Sequence, residues 1–173
     1  KIPCRVEIAS EFRYAQHLLS PETWMVLISQ SGETADTLAS LLLAKRYGAQ
    51  ILSIVNVEGS AIARESDNAI FTRAGKEVAV ATTKAYSAQL VSLYALAIYI
   101  GDLRGEIAPE KYTALIEELL CLPEKIKATL ELVNEDVKDI AKKVFNSKDI
   151  FYIGRLGDYA TACEGSLKMK EIS

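Results

Sequence analysis

Cysteine and histidine are scarce in this chain, which has three cysteines and one histidine in 173 residues. Cys4, Cys121 and Cys163 lie far apart and none has a CxxC spacing, so the pattern argues against a disulfide framework and a structural zinc site. We expect buried, reduced thiols, which are typical of a cytoplasmic protein. His17 has no neighbouring cysteine or carboxylate cluster, so we expect a structural histidine and no metal site.

A strong net charge and the common nucleotide-binding motifs are also missing. The formal net charge is −3, which does not favour a nucleic-acid-binding surface. The sequence Gly154-Arg155-Leu156-Gly157 lacks the rest of a GxGxxG motif, and a GxxxxGK[ST] motif is absent. We therefore expect no dinucleotide site and no organic cofactor. No secretory signal is visible, and the sequence opens without methionine, so we expect a fragment of a longer protein.

Charged residues are absent from one long apolar run, Ala85 to Gly101. At roughly 17 residues the run is marginal for crossing a bilayer, and it contains Ser87, Gln89 and Ser92. We expect a helix that is buried in the core or at a dimer seam, ends at Gly101, and does not cross a membrane.

Strand and helix patterns alternate along the first half of the chain, which predicts an α/β fold with a parallel sheet. Apolar runs predict strands, and 3.6-residue periodicity predicts helices. We predict strands at 5–9, 25–28, 50–55, 68–72 and 149–153. We predict helices at 35–45, 60–66, 84–100 and 158–170. Residues 109–146 are predicted to be helical throughout, broken by Pro123, and a further helix could start at Asn134 or Glu135 and run to Val144.

The polar turn at residues 29–34, Ser-Gln-Ser-Gly-Glu-Thr, joins a predicted strand to a predicted helix. A helix N-terminus offers unpaired N–H groups and a positive dipole end, which favour an anion. The hydroxyls of Ser29, Ser31 and Thr34 add to these donors, and Gly32 permits close backbone approach. In the alternative interpretation Ser31 or Thr34 is only an N-cap. Glu33 would repel an anion unless its carboxylate points away.

Three charged residues share one face of the last predicted helix, because Glu164 and Lys168 are i,i+4 and Lys168 and Glu171 are i,i+3. One interpretation is an exposed ladder of ion pairs. The other is an acid–base site, in which the lysine keeps a carboxylate ionised and moves a second proton. Spacing alone leaves both open.

Four segments resemble the isomerase half of the glutamine–fructose-6-phosphate aminotransferases, a group within the sugar isomerase (SIS) family. They are EIASEFRY (7–14), SQSGETADTL (29–38), KEVAVATTKAY (76–86) and CEGSLKMKEIS (163–173). The resemblance implies a flavodoxin-like three-layer αβα SIS domain with a parallel sheet at 1–108. It further implies a helical linker at 109–147 and the first strand and helix of a second SIS unit at 148–173.

The resemblance also implies roles for individual residues. Residues that would hold the sugar phosphate are Ser29, Gln30, Ser31 and Thr34. Residues that would contact the sugar are Val80 and Thr82. Glu171 would move a proton between C1 and C2 with Lys168 as its helper, and Glu164 is a weaker candidate.

The implied reaction converts fructose-6-phosphate and glutamine-derived ammonia into glucosamine-6-phosphate in a cytoplasmic enzyme, which we expect to be a homodimer. The ammonia would come from a glutaminase domain that this sequence lacks, so we expect the chain alone to be inactive. The sequence departs from the family by having Ala79 and Leu156 in place of glycine and Thr82 in place of serine. The alternatives are a non-catalytic SIS regulatory module that binds sugar phosphate and another SIS phosphosugar isomerase or deglycase.

Overall fold

The computed structural model describes residues 2–79 and 81–172, which divide into two compact units. Unit 1 comprises Lys1–Val78 and Thr82–Leu96, and unit 2 comprises Ala79–Ala81 and Ala97–Ser173. The elements in chain order are α1 (Ala9–Phe12), β1 (Trp24–Ser29), α2 (Ala35–Arg46), β2 (Gln50–Val55), α3 (Ala61–Glu65), β3 (Asn68–Phe71), α4 (Lys84–Leu103), α5 (Pro109–Leu120), α6 (Leu122–Val144) and α7 (Gly157–Ile172).

Unit 1 contains a three-stranded parallel sheet in the order β1-β2-β3. In its register Ser29 is opposite Val55, and Val55 is opposite Phe71, so the carboxyl ends of all three strands lie at one edge. The next residues along each strand, Gln30, Asn56 and Thr72, therefore begin neighbouring loops. The predicted α/β class and parallel sheet are confirmed.

The core of unit 1 forms where α2 and α3 pack against the sheet. Its buried residues come from both helices and from the strands, and each large aliphatic side chain removed from water contributes roughly 1.5–3 kcal/mol. β2 lies in the middle of the sheet, which explains why its apolar run is nearly continuous. The core cluster consists of Leu27, Leu41, Ala44, Ala49, Ile51, Val55 and Ile62.

The predicted strand at 5–9 is wrong, because residues 2–8 have no regular secondary structure and α1 begins at Ala9. An alternating polar and apolar pattern gives a strand one apolar face, but a strand also needs a neighbouring strand to pair with. α1 instead packs near α2, with Phe12 buried and the Arg13 guanidinium 2.9 Å from the Asp36 carboxylate. The ring of His17 stacks on Phe12 at a centroid distance of 3.6 Å.

The prediction that the long uncharged helix ends at Gly101 is wrong, since α4 continues to Leu103. Gly101 permits close packing instead, because a Cβ at this position would lie 2.5 Å from Ile107 Cδ1. Within residues 2–79 and 81–172, no helix is both long and apolar enough to cross a membrane.

Unit 2 is helical over α5, α6 and α7, and two predictions for it are wrong. A separate helix starting near 134 is not seen, because α6 continues unbroken from Leu122 to Val144 after the break at Cys121. Residues 149–153 form no strand, and no described strand pairs with them. Apolar character alone cannot form a strand without a hydrogen-bonding neighbour.

The expectation of buried cysteines is also wrong. Cys4, Cys121 and Cys163 are all exposed and reduced in this structure. Cys4 lies in the irregular segment before α1. Cys121 lies between α5 and α6 and Cys163 lies on α7, and these three helices contain no buried residue.

Candidate functional site

The 29–34 loop begins at the carboxyl end of β1, where the hydroxyl of Ser29 organises the turn. Ser29 Oγ accepts a hydrogen bond from the Gly32 N–H at 3.0 Å and lies 2.8 Å from Thr34 Oγ1. Ser29 is buried, whereas Ser31 is half-buried and Thr34 is exposed. One buried hydroxyl thus holds Gly32 and Thr34 in the turn that also contains Ser31.

The N-terminus of α2 lacks a side-chain cap. Thr34 occupies the N-cap position with extended backbone angles, yet its hydroxyl makes no capping hydrogen bond because it is directed to Ser29. Ser31 Oγ accepts from the Glu33 N–H at 3.1 Å, outside the helix. The interpretation of Ser31 or Thr34 as a simple N-cap is therefore wrong, and the first N–H groups of α2 stay available to an anion.

Glu33 points away from this N-terminus. Its carboxylate Oε1 accepts a hydrogen bond from the Ala61 N–H at 2.8 Å, at the first residue of α3. A carboxylate at a helix N-terminus is favoured by the dipole. An anion site at the turn requires the Glu33 carboxylate to point away, and it does so, because its negative charge is held at the start of another helix.

Gly32 brings the loop close to α3. Its φ of +67° is in the left-handed region, and its carbonyl accepts from the Ile62 N–H at 2.9 Å. A Cβ on Gly32 would lie 2.0 Å from Ser60 Oγ. Glycine is therefore required here by both conformation and space.

Two residues beside the loop were missed by the sequence predictions. Ser60 is buried, and its hydroxyl has no hydrogen-bond partner among residues that the structure describes. Asn56 donates its backbone N–H to the Gln30 carbonyl at 3.0 Å. Both residues lie in the turn after β2. The only sequence feature that could have indicated them is that the carboxyl ends of parallel strands lie at a common edge of the sheet.

The structure describes two of the three other predicted substrate contacts. Gln30 is half-buried within the 29–34 loop, and Thr82 is half-buried in unit 1, shortly before α4. Neither side chain hydrogen-bonds to another residue in the described part of the chain. Val80 lies outside the described residues.

The predicted acid–base residues meet on α7 in unit 2. Lys168 Nζ lies 2.7 Å from Glu171 Oε2 and 3.4 Å from Glu164 Oε1. The hydrogen bond to Glu171 is the main cause of a raised pKa for Lys168, and burial opposes it. The same arrangement fits an ion-pair ladder and a carboxylate base held beside a lysine.

Metal coordination has no support in residues 2–79 and 81–172. There, no group of three or more histidine, cysteine, aspartate or glutamate side chains is placed to hold an ion. Apart from the Glu33 carboxylate, which is bonded to the Ala61 N–H, the polar groups of the 29–34 loop are hydroxyls, the Gln30 side-chain amide and backbone amides, which suit an anionic oxygen better than a cation.

Comparison with known families assigns the chain. The sequence profile described as the SIS domain matches residues 1–99. The chain belongs to the SIS domain family. The matched region includes the sheet, the 29–34 loop and most of α4.

Relatives of this SIS chain extend over its whole length. It is 50% identical over 173 residues to the glutamine–fructose-6-phosphate aminotransferase [isomerizing] of Clostridium tetani. It is 47% identical over 173 residues to the enzyme of the same name from Caldanaerobacter subterraneus subsp. tengcongensis. In both comparisons all of this chain is covered, and it spans 28% of the relative's length.

A solved structure has the same fold as this SIS chain. The C-terminal domain of glucosamine-fructose-6-phosphate aminotransferase from Francisella tularensis superposes with a TM-score of 0.94 at 38% sequence identity. The superposition covers 99% of this chain and 48% of that one.

Proposed function

We propose that this SIS chain binds the sugar phosphate within a glutamine–fructose-6-phosphate aminotransferase of the isomerizing type. The observation that carries the proposal is the uncapped N-terminus of α2, beside which three hydroxyls gather in the 29–34 loop. The identity of up to 50% with enzymes of that name, over the whole chain, supports the choice of reaction.

The 29–34 loop would bind the phosphate through Ser29, Gln30, Ser31, Thr34 and the backbone N–H groups at the start of α2. Hydrogen bonds to a charged group each contribute roughly 1.5–3 kcal/mol, so a few of them would anchor the sugar. The position of Glu33 Oε1 at Ala61 supports this role, because it keeps a competing negative charge out of the loop.

The remaining predicted residues would act on the sugar itself. Val80 and Thr82 would contact it. In the reaction the sugar ring opens, ammonia condenses with the C2 carbonyl so that its oxygen leaves as water, and Glu171 moves a proton between C1 and C2. A positioned base of this kind typically contributes about 10²–10⁴-fold in rate. Lys168, whose Nζ lies 2.7 Å from Glu171 Oε2, would be the helper of this base.

The proposal includes the setting of the chain in a larger protein. Residues 1–108 would be the first SIS domain, 109–147 a helical linker and 148–173 the start of a second SIS unit. A glutaminase domain would supply ammonia for conversion of fructose-6-phosphate to glucosamine-6-phosphate. We further propose a cytoplasmic homodimer.

The phosphate assignment predicts that Ser31→Ala combined with Thr34→Ala abolishes binding of fructose-6-phosphate to this chain. Both hydroxyls would be removed from the anion site while the backbone of the turn keeps its Ser29–Gly32 hydrogen bond. Isothermal titration calorimetry with the unmodified and doubly substituted chains measures the difference.

A matched control is available at the opposite end of β1, the strand that precedes the 29–34 loop. Ser20 and Thr23 form a second serine–threonine pair, with hydroxyl oxygens 3.4 Å apart before β1 begins. The double variant Ser20→Ala with Thr23→Ala should bind the sugar phosphate as the unmodified chain does. Unchanged affinity in the Ser31/Thr34 variant would refute the assignment.

A further inference from the structure

Asn56 is the first residue after β2, the middle strand of the sheet, and it has a neighbouring loop on each side. Gln30 begins the loop after β1, and Thr72 begins the loop after β3. The Asn56 N–H donates to the Gln30 carbonyl at 3.0 Å. The backbone of Asn56 is thus attached to the 29–34 loop.

The side chain of Asn56 is attached to the other loop, residues 72–83. Its Oδ1 accepts from Thr72 Oγ1 at 3.0 Å and from the Ala74 N–H at 2.8 Å. Its Nδ2 donates to the Gly75 carbonyl at 2.7 Å. A neutral amide is suited to this position, because it provides an acceptor and a donor within one planar group.

These contacts hold a strained segment. Arg73 has a φ of +52°, in the left-handed region that a residue with a side chain rarely adopts. Thr72 and Ala74, the residues before and after Arg73, both donate to Asn56 Oδ1. Strained backbone persists only where its surroundings fix it, and the Asn56 side chain supplies that restraint.

Gly75 and Glu77 of this loop lie near the start of α4. A Cβ built on Gly75 would lie 3.8 Å from Lys84 Nζ, and Glu77 Oε2 accepts from the Ala85 N–H at 3.4 Å. The part of the loop that follows the Asn56 contacts is thus bonded to the first turn of α4. Thr82 lies two residues before that helix begins.

We propose that Asn56 is a positioning residue that holds the 72–83 loop, and with it Thr82, in a fixed position relative to the 29–34 loop. This inference rests on the proposed function, in which the first loop holds the phosphate and the second contacts the sugar. Asn56 touches no reacting atom, and it acts by linking the parts of the site that recognise different parts of one ligand.

The test compares Asn56→Leu with the unmodified chain in titrations with fructose-6-phosphate and, separately, with inorganic phosphate. Leucine has a similar volume and no charge, so it removes the three side-chain hydrogen bonds and leaves the backbone bond to Gln30. We expect the fructose-6-phosphate affinity to fall about 10-fold or more, because the three hydrogen bonds that hold the loop start are lost together. The inorganic phosphate affinity should change by less than about 3-fold, since the 29–34 loop is retained.

Two further variants keep the test decisive. Thr72→Val removes one of the two hydrogen bonds to Oδ1 without changing the shape of the side chain. We expect it to lower the ratio of fructose-6-phosphate affinity to inorganic phosphate affinity, by less than Asn56→Leu does. This variant tests the inference even if Asn56→Leu folds poorly. Asn68→Leu makes the same substitution at the exposed amino end of β3 and should leave both affinities unchanged.

The possible outcomes separate this inference from the proposed function. If the affinities for fructose-6-phosphate and inorganic phosphate fall equally, or if neither falls in the Asn56 and Thr72 variants, the inference is overturned. An equal fall would indicate a general structural role for Asn56. Failure of the unmodified chain to bind either probe would overturn the proposed function, and this inference with it. Loss of fructose-6-phosphate binding with retained phosphate binding would support both.

Discussion

Gly32 shows how much one residue position constrains the 29–34 loop. Its backbone is left-handed, its carbonyl is bonded to the start of α3, and Ser60 fills the space where a side chain would be. The Ser60 side chain is short and buried, so it cannot move aside as the end of a long chain could. Any side chain at Gly32 must displace the backbone.

We predict that Gly32→Ala lowers the free energy of unfolding by about 2–5 kcal/mol, from left-handed strain of roughly 1–2 kcal/mol and overpacking of roughly 1–3 kcal/mol. Gly59→Ala is the matched control, since Gly59 has a similar φ of +74° and nothing within 4 Å of a built Cβ. It should show the strain alone. Urea denaturation of the two variants measures the difference, and equal losses would disprove the steric contribution of Ser60.

At this scale the sequence identified the residue types of the 29–34 loop but not their partners. Ser29, Ser31 and Thr34 were predicted as a cluster because three hydroxyls and a glycine fall within six residues at a helix start. That Thr34 bonds to Ser29 and leaves α2 uncapped depends on loop geometry, which spacing does not encode. Asn56 was missed because its partners at 72–75 are distant in sequence.

Helix α7 places three charged side chains on one face, with Lys168 between two carboxylates. Glu171 is the nearer, at 2.7 Å against 3.4 Å for Glu164. The raised pKa of Lys168 means that it stays charged at higher pH in the folded chain than when unfolded. The stabilisation is therefore fully present below the pKa of unfolded lysine and is lost as pH rises through the higher folded value.

We predict that Glu171→Gln lowers the pKa of Lys168 towards the ordinary lysine value of about 10.4, because it removes the largest cause of the rise. Glu164→Gln is the control on the same helix and should lower it less. Heteronuclear NMR titration of the lysine side chain between neutral and strongly alkaline pH reports both values. A larger decrease in the Glu164 variant would reverse the assignment of the dominant partner.

Among the elements, those defined by local pattern were predicted well. The strand at 50–55 and the helix from Ala35 are confirmed, because continuous apolar character and helical spacing are properties of the segments themselves. The predicted strands at 5–9 and 149–153 are wrong, since pairing depends on a neighbour that local sequence does not specify. The length of α4 was underestimated because Gly101 serves packing against Ile107.

On the scale of the whole molecule, burial is concentrated in unit 1. Among described residues, every buried hydrophobic side chain except Ile98 belongs to unit 1. Helices α5, α6 and α7 contain no buried residue. Because packing of apolar faces supplies most helix stability in proteins, the helices of unit 2 have less to hold them in this chain.

We predict that the two units of this chain unfold separately in urea. Trp24, the single tryptophan, lies on β1 and reports on unit 1 through its fluorescence. Far-UV circular dichroism is dominated by the long helices of unit 2, so its midpoint should come at lower urea concentration. Coincident transitions by the two probes would indicate one cooperative unit and contradict the prediction.

The position of the Glu33 carboxylate has an electrostatic consequence. Two helices begin at the same margin of the sheet, and α3 already has a resident anion at its first amide. At the beginning of α2 the first-turn carboxylate of Asp36 is paired with Arg13, and no carboxylate of the described residues is bonded to the first amides of that helix. We therefore expect an incoming anion to be attracted to α2 rather than to α3 before any hydroxyl makes contact.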